Sequence, residues 1–273
     1  MVVSKQAELD AIFKRIADEH GKLNEKQVAF AIREIGRVRG DIADLLADFA
    51  ADDGTIKRQR LMRLLRELEE AEKAMRLYGS DALNTVLRQS SEFAISHANK
   101  ALIGVIGAPL ISAGIERLNR NVIEYVTTRF GDDGLVLSDR IWSTSGVIRD
   151  TLTTQIRTDI IKGESIGTMA RNIRRIYDNQ TWMIKRLVVT ESNTAYRTAN
   201  AMSIERSEVA DWVRLVENGH RHPRHESHRC YELAQENRYG EGRGVFKSTD
   251  SEIYSPHPQC SSYIVPVLNP EYL

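Results

Sequence analysis

Long runs of apolar residues spaced by threes and fours constrain this chain more than any other feature. Leu9, Ile12, Phe13 and Ile16 fall on one helical face. Val28, Ile32, Ile35, Val38, Ile42, Leu45 and Phe49 continue the spacing, and Leu61, Leu64, Leu68, Ala71, Met75 and Tyr78 repeat it at near-heptad intervals. Arg and Glu fill the other positions of the third run, in i,i+4 pairs such as Arg63–Glu67 and Arg66–Glu70. Such stripes predict amphipathic helices that bury one face in a two- or three-helix antiparallel bundle, with an intermolecular coiled coil as the alternative.

Punctuation along the chain predicts where the helices stop. Gly21 is expected to end the first, and a second runs from about Glu25 to Phe49. Asp52-Asp53-Gly54 reads as a turn before a third helix, about Lys57 to Tyr78. Gly79-Ser80-Asp81 predicts a break before a helix over about Ala82 to Lys100, and another is expected from Ser112 to Phe130. Gly131-Asp132-Asp133-Gly134 is the clearest linker. Beyond it, Ser138 predicts an N-cap for a helix ending near Lys162-Gly163. Ser165 predicts the cap of a short helix carrying Ile166, Met169, Ile173 and Ile176, followed by a long one over about Trp182 to Ser207.

The texture changes near Asp211, where the helical period stops. Trp212 to Val216 reads as a strand, Gly240 to Gly244 as a Gly-rich turn segment, and Ser262 to Val267 as a final strand. The expected fold class is therefore α+β, predominantly α. It comprises a helical N-terminal region over 1–130, a helical segment over 131–207 and a small C-terminal β-containing module over 208–273.

Charge narrows the function classes. The 38 basic and 38 acidic side chains cancel, whereas a dedicated duplex-DNA binder carries a basic excess because phosphate neutralisation supplies most of its affinity. A local basic stretch exists from Arg171 to Arg206, with seven Lys/Arg against three Asp/Glu. Its candidate DNA contacts are Arg171, Arg174, Arg175, Lys185 and Arg186. No continuous apolar core marks the first residues, so no secretory signal is expected. The longest apolar stretch, Ala101 to Ile115, falls short of the roughly 20 residues that a spanning helix needs. It reads as a buried helix–turn–helix junction near Pro109, or else as a surface for a partner subunit or a membrane.

Chemistry concentrates at the C-terminus. Five of the seven histidines and both cysteines follow residue 219. His228-x-Cys230 and His257-x-x-Cys260 form two ligand pairs that could close a tetrahedral Cys2His2 zinc site, with His220, His222 and His225 as further candidates. A closed site would be structural, and would help a short Gly-rich module to fold. The alternatives are hydrogen-bonded histidines beside a small buried cysteine pair, or a Cys230–Cys260 disulfide, which cytosol disfavours. A metal-dependent hydrolase or toxin-like effector could use His228 and His257 as base and ligand. Against that stand the lack of a zinc-protease helix motif, a nucleophile elbow and a P-loop lysine. The chain is expected not to be an enzyme.

Several motifs, in order, carry a resemblance. Leu137-Ser138-Asp139-Arg140-Ile141-Trp142 opens the series, and Gly163-Glu164-Ser165 with Ala170-Arg171-Asn172-Ile173 follows. Next come Arg186-Leu187-Val188-Val189-Thr190-Glu191-Ser192-Asn193-Thr194-Ala195-Tyr196 and then Trp212. Arg224 to His228 forms a basic loop ending in His, and Tyr254-Ser255-Pro256-His257-Pro258-Gln259-Cys260 closes the series. From about Ser138 to Val267 this pattern resembles the head morphogenesis, or minor head, proteins of tailed bacteriophages, of the phage Mu F-like type. Ser262 stands where that family has a second cysteine, and Glu217 or Asn218 where it has an aspartate.

The resemblance implies a virion protein at the portal vertex in the capsid interior, made in the host cytoplasm. Its implied partners are the portal protein, the major capsid or scaffolding protein, and packaged DNA, with no membrane. It singles out Asp139, Arg140, Trp142, Thr190, Glu191, Trp212, Pro256 and Pro258 as family signature positions. A nucleic-acid-binding module remains a further alternative.

Overall fold

The stripe that begins at Leu9 does not stop at Gly21. In the computed structural model, which describes residues 4–218 and 225–273, α1 spans Lys5–Ile35 without interruption. Leu9, Phe13, Ile16, His20, Asn24, Gln27, Ala31 and Ile35 are all buried at intervals of three or four. Three of these are polar, so the apolar pattern fades while the buried face continues. Tertiary hydrogen bonds offset the roughly 1 kcal/mol that a mid-helix glycine costs.

The chain break comes later, at Gly36-Arg37, before α2 (Val38–Asp48). A Cβ on Gly36 would lie 2.7 Å from the Ile32 carbonyl oxygen, so only glycine fits the elbow. The expected helix over Glu25 to Phe49 is thus divided between α1 and α2. The expected break at Gly79-Ser80-Asp81 is absent too, because α3 runs from Leu61 to Ile106. Gly79 serves close packing instead: a Cβ there would approach Ile141 Cγ2 to 3.2 Å.

α4 covers Ile115–Thr128 and buries Leu118, Val122 and Val126. The junction before it contains Gly107 and Gly114, both at φ 77°. Asn99 pins it by accepting from Ile111 N at 3.0 Å and donating to Ile111 O at 3.2 Å. α5 spans Leu137–Lys162, with Val136 rather than Ser138 at its N-cap and no side-chain cap bond. It ends as expected at Gly163 in the left-handed region. The next two expected helices are one, α6, Ile166–Ile204. No Gly or Pro interrupts the sequence near Asp178, and Ser165 Oγ accepts from Thr168 N at its start.

A three-stranded antiparallel sheet follows in the order β2-β1-β3, made of β1 (Ala210–Val216), β2 (Val245–Lys247) and β3 (Tyr263–Leu268). A short helix, α7 (Arg229–Gln235), lies between β1 and β2 in the chain. Pro266 sits in β3, which among the described residues pairs with β1 alone, and an edge strand tolerates proline. The outer edge of β3 is met by Gln6 of α1, which donates to Pro266 O at 3.0 Å and accepts from Leu268 N at 2.9 Å. One amide side chain thereby pairs part of an open edge.

The fold is α+β and 70% helical. Among the described residues, no helix is long and apolar enough to cross a membrane. Two compact units divide the chain. One combines Met1–Gln27, Asn84–Gly134 and Val188–Leu273; the other combines Val28–Leu83 and Leu135–Leu187. The helices α1, α3 and α6 each contribute a segment to both.

In the first unit, the C-terminal part of α6 carries a polar network. Ser192 accepts or shares hydrogen bonds with Ser90 at 2.7 Å and donates to Gln27 at 2.7 Å. Asn24 Nδ2 donates to Asn193 Oδ1 at 2.7 Å. In the second unit, the buried carboxylate of Glu72 is held by Arg76 and Arg149. Buried polar groups of this kind are tolerated when bonded, and they specify one packing.

Candidate metal centre

The C-terminal module brings His228, Cys230 and His257 together. One ligand atom from each lies within 4.8 Å of the others, an arrangement that could hold a metal ion. His228 occupies the N-cap position of α7, and Cys230 is in its first turn. His257 arrives from the segment before β3. Cys230 Sγ is 3.1 Å from His257 Nε2, and the two imidazole centroids are 4.6 Å apart. Both cysteines are free thiols rather than a disulfide.

The imidazole of His257 is oriented from behind. Its Nδ1 donates to the Pro258 carbonyl at 2.9 Å, which leaves Nε2 facing Cys230. A carbonyl behind a ligating histidine fixes its tautomer in this way. Cys260, the fourth residue expected, is not among the ligand atoms that meet; its Sγ lies 3.0 Å from Ser262 Oγ. Two imidazoles and one thiol form a three-ligand donor set that suits a divalent ion of intermediate softness. The residues present therefore fit a metal.

Electrostatics at the cluster distinguish the two thiols. The hydrogen bond to Cys260, together with burial, pushes the Cys230 thiol up. For Cys260, burial alone would raise the pKa. Hydrogen bonds from Cys230 and His257 and the nearby Arg197 charge overcome it and hold the thiol well below its ordinary value. Burial likewise opposes the charge on His257, but the interaction with Cys260 and the bond to Pro258 raise it. The thiol that faces the two imidazoles, Cys230, therefore has to give up its proton to bind a metal.

Two side chains that the sequence motifs did not single out build this site. Arg197 of α6 is 1% exposed. Its Nε donates to Tyr254 O at 2.7 Å, and its Nη1 donates to Cys260 O and Ser262 O, each at 3.0 Å. Burial lowers its pKa. Asn193, one turn earlier, donates to Cys260 O at 2.8 Å. The available signal was an arginine inside the small-residue run Thr194-Ala195-Tyr196-Arg197-Thr198-Ala199. A charged residue in such a stretch is buried with partners or breaks the packing.

Signature positions Thr190 and Glu191 stand on the same helix. Thr190 Oγ1 accepts from the backbone N–H of Gln259, the one described non-glycine residue with positive φ, at 57°. Glu191 is fully buried and accepts from Arg129 Nη2 at 3.1 and 3.0 Å. Trp212 of β1 packs against Tyr239 at 5.4 Å, and Pro256 and Pro258 flank His257.

Asp139, Arg140 and Trp142 belong to α5 in the other unit. There Trp142 is exposed, with the Arg76 guanidinium 4.5 Å from its ring. The five candidate DNA contacts are also in that unit. At 100° per residue, Arg171, Arg174, Arg175, Lys185 and Arg186 share one exposed face of α6, about 120° wide. Arg197, counted in the same basic stretch, is not on the surface. His225 lies 5.9 Å from the Tyr231 ring, outside the three-ligand group. His220, His222 and Arg224 lie outside the described residues.

Compared with protein-family models, curated proteins and solved structures, the chain has no match.

Proposed function

We propose that this chain is a minor head protein of a tailed bacteriophage, a non-enzymatic part of the portal vertex that acts in capsid assembly and in handling packaged DNA. One observation carries the reading. The Thr190-to-Arg197 stretch, where the family resemblance is densest, spends its polar side chains on internal bonds: Thr190, Asn193 and Arg197 anchor the C-terminal module, and Glu191 pairs with Arg129. Side chains used in this way serve a scaffold, not a turnover. On this reading the portal protein is the main partner, with the major capsid or scaffolding protein and packaged DNA as further ones. The sites of residence are the capsid interior and, during assembly, the host cytoplasm.

Within that reading the metal is zinc, held by His228, Cys230 and His257, with Cys260 joining as the fourth ligand to close a structural centre. Four protein ligands leave no position for a reacting water. Zinc would supply a cross-link between α7 and the segment before β3.

Co-purification with the portal protein encoded beside it, at low and high salt, tests the reading. A complex that persists at high salt supports it. Well-folded protein that makes no complex refutes it. One feature favours a second reading: His228 and His257 are only half-buried, so their edges are reachable from solvent. A metal-dependent hydrolase would then show metal-dependent cleavage of DNA that is lost in His257→Ala.

A further inference from the structure

A second site lies in the other unit, at the elbow between α1 and α2. Arg33 precedes the elbow, Arg37 and Arg39 follow it, and Arg174 approaches from α6. These four guanidinium-bearing side chains line a cavity of about 530 Å³ whose floor includes Gly36 and Gly40. A Cβ at Gly40 would meet nothing within 4 Å, so the floor is open space above bare backbone.

The arginines are presented, not folded away. Arg33 and Arg37 keep 68% and 61% of their side-chain surface exposed. Three of the four lie against aromatic faces: Arg33 over Phe30 at 5.6 Å, Arg37 over Tyr78 at 4.7 Å and Arg39 over Tyr177 at 4.9 Å. Stacking limits their rotamers before any ligand arrives, which lowers the ordering cost of binding.

The local acids do not cancel this charge. Glu34 touches Arg33 and Arg37 only at 3.4 and 3.5 Å, and Asp178 holds Arg39 at 3.1 Å. Two carboxylates thus face four guanidinium groups, while Asp41 in the first turn of α2 is exposed. Arg171 and Arg175 extend the basic surface along α6.

We infer that this elbow cleft binds the phosphodiester backbone of nucleic acid, with Arg33, Arg37, Arg39 and Arg174 as the phosphate contacts. Planar forked donors on a small-residue floor match phosphate oxygens. The continuation of basic residues along α6 matches a chain of phosphates better than a single free one. The contacts read no base, so binding is independent of sequence. The site is separate from the metal module and does not depend on the head-protein reading. Loss of portal binding would leave it untouched, and its failure would leave the portal-binding part of that reading untouched.

The test is fluorescence anisotropy of the full chain with a labelled 20-base-pair duplex of arbitrary sequence, between 50 and 200 mM salt. With about four phosphates neutralised, affinity should fall roughly 150-fold over that range. The double variant Arg37→Gln/Arg174→Gln should weaken binding at least 10-fold at the lower salt and flatten the salt slope. Arg66→Gln, an exposed change on α3, should alter neither. Circular dichroism would confirm that both variants keep the wild-type helix content. Unchanged affinity in the double variant, or no binding by the wild type at 50 mM salt, overturns the inference. Competition by equimolar pyrophosphate that abolishes duplex binding would also overturn it, by showing a site for free phosphate.

Discussion

The fully buried guanidinium of Arg197 donates to the carbonyl oxygen of Cys260 at 3.0 Å, and so binds the long helix α6 to the segment that follows His257. The same side chain also satisfies the carbonyls of Tyr254 and Ser262. Arg197→Met keeps the apolar stem but strands these acceptors, each worth about 1–3 kcal/mol when left unpaired. Urea unfolding should show a loss of about 3 kcal/mol or more. An unchanged midpoint would mean that the module is anchored elsewhere.

Metal content gives a second expectation. The purified chain should carry one equivalent of zinc, and Cys230→Ser and His257→Ala should each lose it. Chelation should lower the melting temperature of the wild type and leave the variants where they are. Affinity should fall as pH drops, because metal loading displaces protons and the Cys230 thiol holds its proton strongly. Identical melting of loaded and stripped protein would rule out a structural metal.

The pair Arg129–Glu191 makes a third case. Glu191 has no exposed surface, and the side chain of Arg129 keeps only 9%. Glu191→Gln leaves a buried cation without its counter-charge, which costs about 3–5 kcal/mol. Replacing both partners, Arg129→Met with Glu191→Leu, should recover most of that loss, because an apolar pair of similar volume removes two desolvation penalties. A double-mutant cycle measures the coupling. Additive effects would show that the pair is not coupled.

Acid sensitivity should appear at Glu252. The hydrogen bond from Arg238, and then that from Arg229, hold its carboxyl below the ordinary value of 4.5. A depressed pKa in the folded state gives stability that is present above pH 4.5 and disappears as pH falls through the folded value. The cluster is partly exposed, so its contribution is under about 1 kcal/mol. Glu252→Gln should therefore be less stable than the wild type at neutral pH and equal to it at the acidic end. A gap that stays constant with pH would point to packing, not charge.

Much of the helical layout was legible from periodicity, and the failures share one cause. Gly21, Gly79 and the region near Asp178 were expected to divide helices, yet α1, α3 and α6 run through them. In α1 the buried stripe passes through His20, Asn24 and Gln27, which a search for apolar residues reads as solvent-facing. Gly79 is in contact distance of Ile141 from a distant part of the chain, so its role is set by a neighbour absent from its own segment. Local sequence cannot distinguish a glycine that ends a helix from one that admits another.

The candidate site was half legible. Spacing alone brought His228, Cys230, His257 and Cys260 forward, since chemistry of this kind needs those residue types in pairs. Arg197 and Asn193 were not singled out, because their role depends on which carbonyls a different segment places beside α6. The arginine cleft at the α1–α2 elbow was also hidden. Arg33, Arg37 and Arg39 read as the polar face of a continuous helix until the turn at Gly36 exposes them beside Arg174.

By itself the sequence determined the fold class, the helical character of most of the chain, the change to strands near Asp211 and three residues, His228, Cys230 and His257, that meet at the C-terminus. Each of these rests on patterns within a few residues, where backbone geometry dictates which side chains share a face. Only the tertiary structure decided that the compact units are assembled from separated stretches, with α1, α3 and α6 passing through both. It also decided which buried charges meet, as Arg129 does with Glu191, because pairing across 62 residues is set by packing and leaves no local mark.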